Sequence, residues 1–276
     1  VIERSLDDAR FGRTGLPSVF MRDIARALGR AVVSQLHPKM LWLAVWPFLI
    51  ALLTWGVLGF ALRHVVVAGL VGIMANTMLG GWIDAGFGWL GFDGGLAFVM
   101  ELVYLGIVFA AMVLTALVII ATVAMPIVVA WVGARDYPAL AMKRGGSYLG
   151  GFGNALWVGV VFTIGFVVTL PLWLIVPLAF VLPLLWWGWA TARMFRYDAL
   201  VAHASSEERA ALYARHGKAF FAIGVLVSLL NFVPPLFFLV PILGGLAFTH
   251  YALHALERLR AERGEAAFAN GLGVAS

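Results

Sequence analysis

His250 and His254 stand four residues apart, a spacing that puts two imidazoles on one face of a helix and could hold a metal ion. No carboxylate and no third histidine accompany them in that segment, and a helix face near lipid headgroups accounts for them as well. Asn231 lies inside an apolar run, where an unpaired amide is costly, so it must pair with backbone or water. Two roles are open to it: capping the chain break ahead of Pro234, or touching a substrate. Arg135 with Asp136, and Arg196 with Asp198, are spaced to form ion pairs, either gating a pathway or lying on a surface where such pairs contribute about 1 kcal/mol at most. No set of nucleophile, base and acid lies within the apolar runs, so no catalytic residue is predicted. The absence of cysteine removes disulfides, thiolate chemistry and sulfur-ligated metals, and neither a metal site nor a cofactor is predicted.

The elements that carry these residues are built for lipid. Hydrophobic residues make up 63% of the chain and charged residues 12%, with a mean hydropathy of +0.97. So little charge cannot cover a domain in water. No Asp, Glu, Lys or Arg occurs from Met40 to Leu62, Leu102 to Ala134, Gly145 to Ala192 or Ala219 to Leu256. Each block is at least the ~20 residues that a helix needs to cross the hydrocarbon. Inside that layer backbone groups must be satisfied within the chain, which leaves helices or a closed barrel, and runs this continuous lack the alternation of barrel strands. The net charge of +5 is scattered at block ends rather than gathered in a stripe, so it reads as membrane-orienting charge and no nucleic-acid partner is predicted.

In chain order, the sequence predicts a disordered polar N-terminal tail over 1–20, a single membrane domain over 21–260 and a flexible C-terminal tail over 261–276. Within Phe20 to Leu36, Ile24, Leu28 and Val32 line one face and Arg22, Arg26 and Arg30 another, an amphipathic helix for an anionic membrane surface or for packing on protein. Met40–Leu62 is the first spanning helix. Arg63 to Glu101 is poor in positive charge and should face outward; its first part can dip into the membrane or run along it, with a break at Gly80-Gly81. The second spanning helix runs from Leu102 to about Ala124 and ends near Met125-Pro126. The third block carries Pro171, Pro177 and Pro183 and is flanked by Lys143, Arg144, Arg193 and Arg196, which predicts a hairpin that returns to the cytoplasmic side. The fourth, broken at Pro234-Pro235 and Pro241, repeats that arrangement and penetrates fully or part way. Between them Tyr197–Lys218 reads as a cytoplasmic helix, N-capped by Ser205 or Ser206 with Glu207 and Glu208 in its first turn. The fold class is therefore an all-α integral membrane protein, with two spanning helices, two proline-broken helical hairpins, and amphipathic interfacial and cytoplasmic helices.

Ser34-Gln35 leading into Met40–Leu53, Trp189–Leu200 with Tyr197-Asp198, and Leu229-Leu230-Asn231-Phe232-Val233-Pro234 continuing into Val240–Gly245 carry a resemblance. Over about Met21 to Arg260 the chain resembles the CysZ sulfate permeases and the wider etoposide-induced protein 2.4 family.

The resemblance implies a multi-pass protein of the bacterial inner membrane, with both termini cytoplasmic, that admits sulfate for cysteine biosynthesis as a homo-oligomer. Its partners would be the lipid bilayer and the anion. Sulfate is a tetrahedral dianion whose hydration shell helix N-terminal N–H groups and a Lys or Arg can replace. In the permeases a glycine followed by basic residues just ahead of the first spanning helix resembles such a site. The matching stretch here is His37-Pro38-Lys39-Met40, which departs from that pattern because proline has no N–H and lysine lacks the guanidinium fork. His37, Lys39 and Asn231 are the substrate-binding candidates. The family's eukaryotic members also make a membrane scaffold without transport activity a second reading.

Overall fold

The computed structural model describes residues 16–143 and 145–269, and every regular element among them is helical. Four helical runs in the described residues, Pro38–Ala75, Gly95–Asp136, Gly150–Leu174 and Val176–Leu200, are long and apolar enough to cross a membrane. The chain divides into two compact units, one of Leu43–Thr122 and one of Val1–Trp42 with Val123–Ser276.

The smaller unit holds most of α2 (Pro38–Ala75), with α3 (Met78–Trp89) and α4 (Gly95–Ile119). The first span does not stop at Arg63. Nothing in Arg63–Ala75 breaks helix, and α2 continues to Ala75. The chain turns at Asn76-Thr77 rather than at Gly80-Gly81, because the Thr77 side chain accepts the Gly80 N–H and starts α3. Gly80 is needed for space, since a Cβ there would collide with the Met74 carbonyl. Gly91 and Gly94, both at φ 80°, make the turn into α4 in a conformation that favours glycine. α2 and α4 run antiparallel: Trp55 Nε1 donates to Thr115 Oγ1 at 2.9 Å, the Tyr104 hydroxyl donates to the Gly59 carbonyl, and Arg63 meets Glu101 at 2.6 Å.

Pro126 does not end the second span. It has no N–H to give the carbonyl four residues back, and the helix absorbs that loss in one wide π turn, Ile120–Ala124, before continuing as α5 (Met125–Asp136).

The larger unit adds α1 (Leu16–Gln35), α6 (Tyr148–Thr169), α7 (Val176–Leu200), α8 (Ser206–Leu229) and α9 (Val240–Ala269). Residues 1–15 and 270–276 of the two tails lie outside the described residues, whereas Leu16–Phe20 belong to α1 and 261–269 to α9. α6 and α7 form a hairpin across a 3₁₀ turn, Leu170–Leu174, and the extended residue Ile175. Phe162 packs on Trp187 and Asn154 Nδ2 reaches the Arg193 carbonyl, so the arms are antiparallel. Pro171 and Pro177 flank the break, and Pro183 is carried inside α7.

The helix expected on the cytoplasmic side and the first arm of the expected last hairpin are one element, α8, because Ser205 and Glu208 form a reciprocal capping box and nothing interrupts the helix before Leu229. Short 3₁₀ turns at Leu230–Phe232 and Pro234–Leu236 separate α8 from α9, and Pro241 falls in the first turn of α9 rather than at a break. α9 is buried on nearly all sides from Val240 to Leu256 and forms the centre of this unit. Phe220 and Phe195 stack on its Phe248 at 6.1 and 5.6 Å between ring centroids.

α1 packs on α9 with Ile24, Ala27, Ala31, Ser34 and Gln35 buried. The expected face of Ile24, Leu28 and Val32 is therefore turned. The small side chains of Ala27 and Ala31 let the backbones approach, and Val32 is left 51% exposed.

Candidate functional site

Gln35 ends α1 and Pro38 begins α2, so Leu36 and His37 are the whole connection. A new helix has unpaired N–H groups in its first turn. Here they are taken within the turn. Pro38 has none, Lys39 N–H donates to His37 Nδ1 at 3.2 Å, and Met40 and Leu41 N–H donate to the His37 carbonyl at 2.8 and 3.1 Å. An anion at this turn must therefore be held by side chains, or displace the His37 ring.

The side chains present are exposed cations. The Lys39 ammonium makes no hydrogen bond or ion pair among the described residues. The His37 ring packs on Trp131 at 5.3 Å between centroids, and the Arg135 guanidinium lies 4.9 Å from the same indole. Trp131 thus brings Arg135, from the end of α5, to the His37–Lys39 turn. The expected ion pair of Arg135 with Asp136 is present but long, 3.9 Å, so it engages charge without a hydrogen bond. Sequence reasoning selected His37 and Lys39 but had no signal for Trp131, and it paired Arg135 only with its neighbour.

Asn231 is not part of this group. Its Nδ2 donates to the Ser228 carbonyl at 3.3 Å inside the α8–α9 connection. Ten residues of α9, roughly 15 Å of helix, separate Val240 at that connection from His250, which meets the end of α1. Arg196 does not pair with Asp198 either; it stacks over the Tyr213 ring at 4.2 Å.

Beneath the turn lies a buried polar network. Ser34 Oγ is 3.0 Å from His250 Nε2, the Tyr137 hydroxyl donates to the His250 carbonyl at 3.1 Å, and Arg30 Nη1 donates to that hydroxyl at 3.3 Å. His250 Nδ1 is 3.7 Å from Asp136 Oδ2, beyond hydrogen-bond reach. The order of serine, histidine and aspartate resembles a nucleophile with its base. Ser34 is nevertheless only 5% exposed, and the adjoining cavity of about 10 Å³ holds one water at most. Gln35, 4% exposed, has both amide atoms unpartnered. His254 lies 3.9 Å from Glu257, and no three His, Asp or Glu side chains gather to hold a metal among the described residues.

A second polar cluster closes the ends of α8 and α9. Glu208 is buried and accepts from Arg260 Nε and Nη2, both at 3.0 Å, from Lys143 Nζ at 2.7 Å and from the Ser205 N–H at 2.9 Å. Arg260 also donates to the Ala141 and His203 carbonyls. Burial raises the Glu208 carboxyl, but the hydrogen bonds from Arg260, Lys143 and Ser205 outweigh it and hold it at about 2. Burial, and then the Arg260 charge, push His203 below its ordinary range.

Helices long enough to span a bilayer and apolar on their outer faces define a multi-pass helical membrane protein. The chain belongs to the family described as Sulfate transporter CysZ/Etoposide-induced protein 2.4, whose sequence profile matches residues 27–241 and so covers the His37–Lys39 turn, Trp131 and Arg135. No curated relative and no solved structure matches the chain.

Proposed function

We propose that the protein is a permease or channel that admits a small oxyanion, sulfate first, through a bacterial inner membrane in which both termini are cytoplasmic. The observation that carries this reading is the pair of exposed cations, Lys39 and Arg135, gathered with the His37–Trp131 contact at the entry to α2. Two cations beside a tetrahedral dianion supply charge and several N–H donors, and the guanidinium of Arg135 restores the fork that Lys39 lacks. In this reading α2 and α4 cross fully, the two hairpins return to the cytoplasmic side, and copies of the chain associate. The chain acts by binding and passage, without a catalytic step. Asn231 serves its own turn.

Uptake of labelled sulfate into vesicles containing the purified protein tests the proposal, with empty vesicles and the Lys39→Ala/Arg135→Ala double variant as controls. Uptake well above empty vesicles that falls in the double variant supports it. Uptake equal to empty vesicles sinks it and leaves a membrane scaffold.

A further inference from the structure

A groove of about 300 Å³ opens on one side of the α2–α4 pair, within the Leu43–Thr122 unit. Its mouth carries Arg63 and Glu101, and its walls are apolar, formed by Trp55, Phe60, Leu105 and Val108. In this reading the mouth lies at headgroup level, because Arg63 and Glu101 are the first charges outside the runs Met40–Leu62 and Leu102–Ala134. The charge-free run Met40–Leu62 covers about 34 Å of helix, the thickness of the hydrocarbon, and Arg63 follows it directly. From Arg63 back to Trp55 the groove runs roughly 12 Å toward the membrane centre. A polar end at the interface with an apolar trough beneath it has the outline of a lipid headgroup and the upper part of one acyl chain.

The polar end is only half used. Among the described residues Arg63 binds Glu101 through Nε alone, which leaves its two terminal nitrogens to donate and Glu101 Oε2 to accept. Arg63 is 49% exposed and Glu101 24% exposed, so both are within reach of a ligand. The two charges cancel, and this selects among ligands. An inorganic dianion or an anionic headgroup would satisfy Arg63 but lie against Glu101. A quaternary ammonium would bring a positive charge with no N–H to donate. A primary ammonium joined to a phosphate satisfies both sides: its N–H groups donate to Glu101 Oε2, and its phosphate oxygens accept from Arg63.

We propose that this groove is a binding site for a zwitterionic phospholipid with a primary amine, a phosphatidylethanolamine. The site is independent of what the protein transports.

Trp55 in the groove wall is the reporter. The full-length protein is placed in mixed phosphatidylcholine and phosphatidylglycerol vesicles carrying a fixed minor share of phosphatidylethanolamine, phosphatidylcholine or phosphatidylglycerol with dibrominated acyl chains. The quenching that disappears in Trp55→Phe is the signal. Brominated phosphatidylethanolamine is expected to quench this component at least twice as strongly as either other lipid, and Glu101→Gln is expected to abolish the preference. Equal quenching by the three lipids makes the groove ordinary lipid-facing surface and overturns the proposal. A preference for phosphatidylglycerol or phosphatidylcholine, or one that survives Glu101→Gln, also overturns it. Trp55→Tyr serves as the blank where Trp55→Phe does not fold, and the headgroups themselves are compared on the unmutated protein.

Discussion

Arg260 grips Glu208 with two N–H···O bonds of 3.0 Å each, one from Nε and one from Nη2, and so fastens the charged end of α9 to the first turn of α8. A carboxyl held at about 2 in the folded protein is depressed from its unfolded value. Its contribution is therefore complete above the ordinary carboxylate range and is lost as pH falls through the folded value. The melting temperature should be flat above about pH 5 and fall between roughly pH 4 and 2, and Glu208→Gln should remove much of that fall. At neutral pH, Glu208→Ala leaves two cations around an empty site and should cost about 3–5 kcal/mol, read as a lowered melting temperature. A melting curve independent of pH down to 2 would show that the carboxyl is not held this way.

At the α1–α2 turn, replacing Arg135 with Ala should raise the KM for sulfate about 10- to 100-fold, the loss expected of one or two charge-assisted hydrogen bonds. Lys39→Ala should do the same, and Trp131→Ala should act through Arg135 with a smaller effect. Asn231→Leu should leave KM within about twofold and lower the melting temperature, because its bond serves the α8–α9 connection. Saturation curves for vesicle uptake separate these cases.

α7 and α8 cross where Gly188 faces Gly224, and a Cβ on Gly224 would collide with the Gly188 carbonyl. Gly224→Ala should destabilise by about 1–3 kcal/mol or more, although alanine is the better helix former by about 1 kcal/mol. Gly217 in the same helix faces open space, and Gly217→Ala should stabilise by up to about 1 kcal/mol. Opposite signs within one helix, measured by thermal unfolding, are the outcome to look for.

The chain has no cysteine, so single cysteines report topology on a clean background. A membrane-impermeant maleimide should label Met142→Cys and Ser206→Cys from one side and His64→Cys from the other. Leu174→Cys, at the tip of the α6–α7 hairpin and 89% exposed from the protein, should stay unlabelled in lipid. Labelling of Met142→Cys and Ser206→Cys from opposite sides would refute the returning hairpin.

Much of this architecture could be read from the distribution of charge and proline. The charge-free blocks became the long helices, and Pro171 with Pro177, and Pro234, marked real breaks. Local signals competed elsewhere. The Thr77 cap outranked Gly80-Gly81 as the turn, and a π turn let the helix run through Pro126. For the site, position along the chain pointed to His37 and Lys39. It could not show that Trp131, ninety-four residues after His37, joins Arg135 to them, because that contact exists only once α5 lies beside the turn. Glu208 was readable as a first-turn acid, but its grip by Arg260 and Lys143 is a product of packing. The face of α1 was misjudged because hydrophobicity favours valine, whereas close packing favours the alanines beneath it.

The π turn at Ile120–Ala124 is one residue longer than an ordinary helical turn, and that surplus sets the rotational phase of all that follows in the helix. Deleting Ala121 would restore a plain α-helix and swing the faces of α5 by roughly 100° about its axis. Val128, Val129 and Val132 would leave their buried positions, and Trp131 and Arg135 would turn away from His37. The geometry of the His37–Lys39 turn therefore depends on a count of residues as much as on their identity, and a single-residue deletion lying outside the turn should abolish it where many substitutions at the same place would not.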